Sequence, residues 1–366
     1  MAVMVRDVRE ARALGVVGDA EADAMSSRER PIVLVAKASG YTPSPSIAPG
    51  IPDIGIMLAY NPIQHLLLGL AGDAAGPAAL VMTSANIGGE PILYSDDDLE
   101  RVGDLADGVL THNRPILMPC DDSVMRIVGS GRQLLRRSRG YAPLPVAAPF
   151  DLPPTLAVGA DLKNTFCLAE GAYVWPSQHI GDMGDLAVLD SFAASESHFE
   201  SITGVVPHQI ACDEHPRYRS SSWARSRSGD RPVRVVGHHH AHVASVMGEN
   251  GRDGSEPVLG IAFDGTGYGA DGAVWGGNCC WRRTRVIAVS RIWDTYRCPG
   301  AMPEWNDRTE WRSPTSGMPG WTGKPTSRRW QPVRRESSRS YFTSWQPVSG
   351  VWTPPAWGGC STQSPR

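Results

Sequence analysis

The spacing of apolar and polar positions over the first 146 residues predicts strands alternating with helices. AVMV (Ala2–Val5) reads as a strand, RDVREARAL (Arg6–Leu14) as an amphipathic helix, and PIVLVAK (Pro31–Lys37) as a strand opened by proline. LVMTSAN (Leu80–Asn86) reads as a strand that ends in small polar residues. Asp96–Leu105 and then ADGVLTH (Ala106–His112) read as helix and strand. An α/β or α+β domain with a buried sheet is the expectation. Pro143–Pro154 is rich in Pro and Ala and reads as a linker. Beyond it, TLAVGAD and NTFCLAEG make a hairpin around the turn DLKN. VGHHHAHVASVMGENG (Val236–Gly251) is expected to be helical, with Ala241, Val243, Ala244, Val246 and Met247 on its apolar side. LGIAF then forms a strand that stops at Asp264, ahead of Gly265, Thr266 and Gly267. From Trp281 onward no period of 2 or 3.6 is visible.

With 366 residues the chain is long enough for two domains. Its net charge of −3 names no polyanionic partner, and neither double- nor single-stranded DNA is expected as one. The charge is unevenly spread, however. From Trp281 there are 13 Arg and one Lys against five acids, about +9, which leaves about −12 for the preceding 280 residues. Seven cysteines with no C-x-x-C pair exclude a sequence-evident zinc finger and disfavour a secreted disulfide scaffold. No signal peptide is visible, and no apolar run approaches the roughly 20 residues of a membrane helix. A cytoplasmic protein without a membrane partner is the expectation.

The chemistry-bearing residues fall into a few stretches. On a helix, His238 and His242 stand at i and i+4, one turn apart on one face, where two imidazoles can grip one metal ion. Asp264 lies at a strand end with flexible backbone behind it, so that the carboxylate faces a cation while N–H groups approach phosphate oxygens. A surface His-rich helix and an ordinary D-G-x-G turn are the competing readings. MTSANIGGEPI (Met82–Ile92) offers Thr83, Ser84 and Asn86 beside Gly88 and Gly89; taken alone it reads as an Asx/Gly turn. Arg114, Arg126, Arg137 and Arg139 suit a phosphate or a carboxylate, or else a solvated basic face. Asp161, Lys163, Asn164 and Thr165 form a polar cluster at the hairpin turn. His179 and Asp182, with Asp185, precede a helix as substrate-side groups or as N-caps, and the first two are the catalytic candidates.

TSANIGGEP, HNRPI…CDDSV and RRSRGYAP resemble the YrdC/Sua5-like module of the HypF family of hydrogenase maturation carbamoyltransferases. That module binds ATP with Mg2+ and makes an acyl-adenylate, so the resemblance implies that Thr83, Ser84, Asn86, Ser123 and Arg139 line a nucleotide pocket. Two departures stand out. Gly88 occupies a position where the family usually has Ser, and Leu117–Cys120 lacks the basic character common there. MAVMVRD is similar to the family's K-P-F-A-V-M-V-R-D entered three residues in. The family's acylphosphatase-like domain and zinc-finger Zn sites are expected to be absent from this chain.

VGADLKNTFCL, SQHIGDM, ACDEHPRY, HHHAH and FDGTGYGADGAVWGG are similar, in order and spacing, to the Kae1-like carbamoyltransferase domain of the same family, an ASKHA-type fold. The family has Glu more often where Asp161 stands. The resemblance implies that Lys163, Asn164 and Thr165 belong to the first phosphate loop and that Gly265, Thr266 and Gly267 contact nucleotide. It also implies that His238, His242 and Asp264 hold one divalent metal, Fe or Zn. The YrdC-like module precedes the Kae1-like one, as in HypF; antibiotic O-carbamoyltransferases carry the reverse order. The expected organisation is a partial YrdC-like twisted-sheet domain over 1–146, the first half of a Kae1-like domain over 147–280, and a structureless tail over 281–366.

That tail contains nine of the twelve tryptophans and no leucine or histidine, which neither a core nor an ordinary disordered linker explains. When the last base of each codon is read with the first two of the next, synonymous codons exist that turn Trp293–Trp321 into GHLPMPGGDAGVERPHRMALAYLRDAGV. Gly350–Pro365 likewise yields VDTSSMGRLFDAVA. Both resemble stretches expected downstream in the family, and a one-base slip near Asn278–Cys280 is inferred. A genuine Arg/Trp-rich interaction tail is the competing reading.

The reaction implied by the resemblance is ATP-dependent carbamoyl transfer. Carbamate derived from carbamoyl phosphate is adenylated, and the carbamoyl group passes to the C-terminal cysteine of the partner maturation protein HypE, to become a cyanide ligand of [NiFe]-hydrogenase. A further metal ligand and part of the nucleotide site normally come from the second half of the Kae1-like domain, so weak metal binding and impaired activity are expected. The other classes are a threonylcarbamoyl-adenylate synthase of the Sua5/YrdC kind, acting for tRNA modification, and an inactive remnant.

Overall fold

A computed structural model of the chain describes residues 1–297, apart from 41–42, 71–75, 87, 89, 99–100, 102, 104–105 and 284–285; at 266 and over 277–297 it describes the backbone only. The first six strands are β1 (Ala2–Val5), β2 (Ile32–Ala36), β3 (Asp53–Leu58), β4 (Leu80–Met82), β5 (Val124–Val128) and β6 (Gly131–Arg136). They form one mixed sheet in the order β4-β1-β3-β2-β5-β6. The segment AVMV has no polar position because both faces of β1 are covered. Val3 and Val5, with Ile54, Ile56 and Leu58, face a cluster closed by Ala11 and Leu14 of α1 (Val8–Leu14) and by Ala24 and Met25 of α2 (Asp19–Ser26). Ala2 and Met4 point the other way, with Met57, onto Leu68 of α3 (Pro62–Leu68). Asp7 caps α1, its Oδ1 accepting the Glu10 N–H at 2.9 Å.

The helix expected over Asp96–Leu105 begins as a 3-10 turn at Asp96–Asp98, followed by helical backbone at Arg101 and Gly103; its remaining residues lie outside those described. Ser95 and Asp98 side chains take the turn's own N–H groups, which competes with a regular first turn. No strand forms at Ala106–His112: Val109 and Leu110 are exposed, and among the described residues no strand pairs with this segment.

A second sheet, ordered β10-β9-β7-β8, comprises β7 (Val146–Ala157), β8 (Cys167–Pro176), β9 (Gln209–Asp213) and β10 (Val233–Val236). The expected hairpin is present as β7 and β8. Most of the expected linker, however, is strand. Register shifts between Ala147 and Leu152 and between Leu152 and Thr155 let β7 carry Pro149, Pro153 and Pro154, which cannot donate to the ladder. Helices α4 (Leu186–Thr203) and α5 (Arg219–Arg227) belong to this half. Phe192 and Phe199 of α4 meet Phe166 edge-on, with ring centroids 5.3 and 5.2 Å apart. Where the two halves meet, the buried Arg137 donates to the carbonyls of Pro176 at 3.0 Å, Tyr141 at 2.7 Å and Leu144 at 2.6 Å.

The helix expected at the histidine cluster is α6 (His238–Glu249). It packs on a third, antiparallel sheet of β11 (Val258–Tyr268), β12 (Ala273–Arg283) and β13 (Val286–Arg297). Two expectations fail in this sheet. β11 does not stop at Asp264 but runs on to Tyr268, because a register shift between Phe263 and Gly267 absorbs the small residues while pairing to β12 resumes at Gly267↔Trp275. The segment from Trp281 is not structureless throughout either. Its backbone completes β12 and forms β13, where V-I-A-V-S-R-I supplies β-branched residues that a ladder accepts. The rest of that tail, 298–366, lies outside the described residues.

Candidate functional site

The cluster that could hold a cation is assembled from three elements. β10 runs parallel to β9 with Val236 opposite Asp213, so α6, which starts two residues later, brings His238 beside the end of β9. His242 follows one turn on, its ring centroid 5.0 Å from that of His238. Asp264 arrives from β11. A methyl group on Gly260 of β11 would sit 2.5 Å from a Val243 methyl, so only glycine lets α6 lie this close to the strand. Gly267 plays the same part for His239, whose Nε2 would be 2.4 Å from an added Cβ.

Asp264 Oδ2 then stands 2.6 Å from His238 Nε2 and 3.7 Å from His242 Nε2. One ligand atom from each of the three residues lies within 4.8 Å of the others. His242 Nε2 is buried and makes no hydrogen bond among the described residues, an arrangement that suits a lone pair directed at a cation. Two imidazoles and a carboxylate are a donor set for Zn or Fe, and these residues fit such an ion. On its other side His238 Nδ1 lies 2.8 Å from Asp213 Oδ2. Burial disfavours the imidazolium, but hydrogen bonds and charges from Asp213 and Asp264 outweigh it and raise the His238 pKa to about 9. Without a metal, His238 is a cation clamped between two carboxylates.

Beside the cluster, the His215 ring stacks on Tyr218 at 4.1 Å and meets Tyr268 edge-on at 5.0 Å. Burial lowers the His215 pKa, against the pull of Asp213 and Asp161. Gly265 faces open space, and the Thr266 side chain lies outside the described residues.

A second feature is a cleft of about 300 Å³ between the first and second sheets' domains. Ser84 and Asn86 line it from one half, and Lys163, His179 and Asp182 from the other. Asp182 Oδ1 accepts the Lys163 N–H at 2.6 Å, in a turn where Lys163 adopts φ 47°. His179 Nδ1 lies 3.0 Å from Asp121 Oδ2, across the two halves, and Arg136 is 3.6 Å from the same oxygen. Burial would raise the Asp121 pKa, but the His179 hydrogen bond and the charges of Arg136 and His179 hold it below the ordinary carboxylate value. Cations, hydroxyl and amide groups converge there, a lining suited to a phosphate-bearing ligand.

Other residues singled out in the sequence make contacts within the fold. Arg139 donates to Asp122 Oδ1 at 2.7 Å and to the carbonyls of Glu29 at 3.2 Å and Arg30 at 2.8 Å, and lies over the Tyr60 ring. Ser123 Oγ, fully buried, donates to the Arg139 carbonyl and accepts from the Ser138 N–H. Arg126 pairs with Asp53. Asn164 Nδ2 donates to the carbonyls of Val158 at 2.8 Å and Ala160 at 2.5 Å, and Thr165 is buried next to it. Asp161 accepts from the N–H groups of Arg219 and Ser220, and Asp185 caps α4. Thr83 is exposed and Gly89 lies outside the described residues. Sequence reasoning gave no role to Asp213, Asp121 or Gly260. Asp213 ends an apolar strand within ACDEHPRY and Asp121 lies within CDDSV, both usable signals; for Gly260 only the fold supplies one.

Residues 151–249 match the family model described as HypF Kae1-like domain, and residues 1–138 match the Sua5/YciO/YrdC model, described as telomere recombination. The chain is 44% identical over 280 residues to a carbamoyltransferase HypF of Rhizobium leguminosarum bv. viciae, covering 75% of this chain and 36% of that one. Against a carbamoyltransferase HypF of Synechocystis sp. it is 42% identical over 262 residues, covering 70% and 33%. A crystal structure of full-length HypF in a phosphate- and nucleotide-bound form superposes with a TM-score of 0.74 at 38% identity, covering 79% of this chain and 44% of that one. The chain thus spans about a third of the length of the curated relatives it matches.

Proposed function

This chain is of the HypF type, a Sua5/YrdC module followed by a HypF Kae1-like domain, and from that premise we propose that it carries the adenylation and transfer portions of an ATP-dependent carbamoyltransferase. Carbamate, derived from carbamoyl phosphate, attacks the α-phosphorus of Mg2+-bound ATP; a C–O–P linkage forms and pyrophosphate leaves. The thiolate of the C-terminal cysteine of HypE then attacks the carbamoyl carbon. A C–S bond forms, the bond to the AMP oxygen breaks, and AMP departs with the electron pair. The product is the precursor of the cyanide ligands of [NiFe]-hydrogenase, and on this reading the reaction is cytoplasmic. Among the described residues no helix is long and apolar enough to cross a membrane.

The observation that carries this reading is the convergence of His238, His242 and Asp264 within 4.8 Å beside a glycine-containing strand. When bound there, a divalent ion supplies a positive charge for a phosphate and for the negative charge that develops during transfer. The chain's own groups do the rest. Lys163 and Arg136 favour the polyphosphate in the cleft, Ser84 and Asn86 orient it by hydrogen bonds, and His179, held by Asp121, accepts or returns a proton at Nε2. The nucleotide-bound form of the similar crystal structure supports a nucleotide role. Residues 281–366 are read as the product of a one-base slip near Asn278–Cys280, and activity is accordingly impaired.

The test combines purified chain, ATP, Mg2+, HypE, and carbamoyl phosphate together with a separate acylphosphatase that hydrolyses it to carbamate. Intact-mass spectrometry of HypE is expected to show little or no carbamoylation by this chain where the same assay with an uninterrupted relative succeeds; measurable ATP-dependent carbamoylation would overturn the impairment. Pyrophosphate exchange that depends on threonine and not on carbamoyl phosphate would sink the reading. Resequencing the DNA around codon 279 tests the slip.

A further inference from the structure

Asp213 is the most buried carboxylate of the second sheet, and nothing in the proposed chemistry uses it. Its side chain is 3% exposed and that of His238 is 4% exposed. An isolated carboxylate at such a place is costly, so its partners say what it is for. Oδ1 accepts the backbone N–H of His215 at 2.7 Å, and Oδ2 lies 2.8 Å from His238 Nδ1. The two contacts fix the carboxylate plane. Backbone pairing fixes its position, since Asp213 lies opposite Val236, two residues before the histidine it meets, and Ser221 Oγ anchors the Asp213 carbonyl at 3.0 Å.

We propose that Asp213 is a positioning residue for the cation site: it holds the proton of His238 on Nδ1 and so presents the Nε2 lone pair toward the point shared with His242 and Asp264. An imidazole has two tautomers, and only the one protonated at Nδ1 can ligate through Nε2; a carboxylate on Nδ1 selects it, fixes the ring's rotation and raises the basicity of the ligating nitrogen. The geometry matches, because His238 Nε2, and not Nδ1, faces Asp264 Oδ2 at 2.6 Å. Asp213 lies outside the trio whose atoms converge within 4.8 Å, so its role is exerted through His238 and not by direct ligation. This inference rests on the reading of that trio as a metal site.

The experiment titrates Zn(II), and separately Co(II), into the full-length chain against a chromophoric chelator, with Asp213→Asn, Asp213→Ala and His242→Ala alongside. Far-UV circular dichroism establishes that each variant is folded. Asp213→Asn keeps the size and a hydrogen-bond acceptor but not the charge, so its affinity is expected to fall by roughly tenfold, and that of Asp213→Ala by up to about 100-fold. The ¹⁵N spectrum of histidine-labelled, Zn(II)-loaded protein is expected to show two rings ligated through Nε2 with the proton on Nδ1; the His238 Nδ1–H, hydrogen-bonded to a carboxylate, exchanges slowly with solvent, and that protection is lost in Asp213→Ala. A merely structural role would lower thermal stability and leave both readouts in place. If His242→Ala weakens binding while both Asp213 variants bind as the unaltered chain does, the positioning role is overturned and the metal site stands. If His242→Ala changes nothing, or if the unaltered chain binds no metal, the metal site falls and the positioning role with it.

Discussion

The cation cluster and the intermodule cleft carry the two halves of the proposed chemistry on opposite plans. The cluster is buried, and its members stand on regular elements: the end of β9, the first two turns of α6 and the middle of β11. Every approach in it is set by backbone register or by a missing side chain, as at Gly260 against Val243. The cleft is open and made from loops of two domains, held across the gap by His179 on Asp121 and by Arg137 on the Pro176 carbonyl. The contrast follows from what each must bind. A cation needs donors fixed within tenths of an ångström and shielded from water, whereas a phosphate-bearing ligand must enter and leave.

The sharpest break in the comparison is His242→Ala, which removes a proposed ligand and leaves the cleft untouched. Metal affinity is expected to fall by more than roughly 100-fold by chelator competition, with nucleotide affinity unchanged. Next is Gly260→Ala, which should push α6 from β11 and cost about 1–3 kcal/mol in denaturant unfolding, with weaker metal binding as a second effect. A third expectation concerns pH. The folded state raises His238 from 6.5 to about 9, so in the metal-free chain its stabilising contribution is complete below pH 6.5 and disappears as pH rises through about 9. Thermal melts between pH 6 and 10 should show that decline, flattened in Asp213→Asn; an increase across the same window would contradict the clamp. The smallest effect is Lys163→Ala in the cleft. Stability should stay within about 0.5 kcal/mol and metal affinity should not move, while ATP affinity measured by calorimetry drops by roughly tenfold.

The cluster was far more legible in the sequence than the cleft. His238 and His242 sit four apart in an apolar-faced helix, a local period that survives any tertiary context, and both stand on α6 as expected. For Asp264 the sequence indicates the neighbourhood but not the backbone: the pattern reads as a strand end with a loop, and the chain instead bulges and carries on to Tyr268. In the other module, the nucleotide expectation divided its residues. Ser84 and Asn86 line the cleft, while Arg139 and Ser123 are tied into contacts with Asp122, Glu29, Arg30 and Ser138. A cationic or hydroxyl side chain looks the same in a sequence whether it awaits a ligand or satisfies a buried carbonyl.

Sequence by itself determined the strand and helix order of much of the chain, the modules it resembles and the two histidines, because those depend on periods of a few residues and on motif spacing. Tertiary structure alone decided that Ser84 and Asn86 share one cleft with Lys163, His179 and Asp182, and that Asp213 stands behind His238. These are contacts between residues tens of positions apart, set by which strands pair and how closely a helix can approach them, and no local pattern encodes such distances.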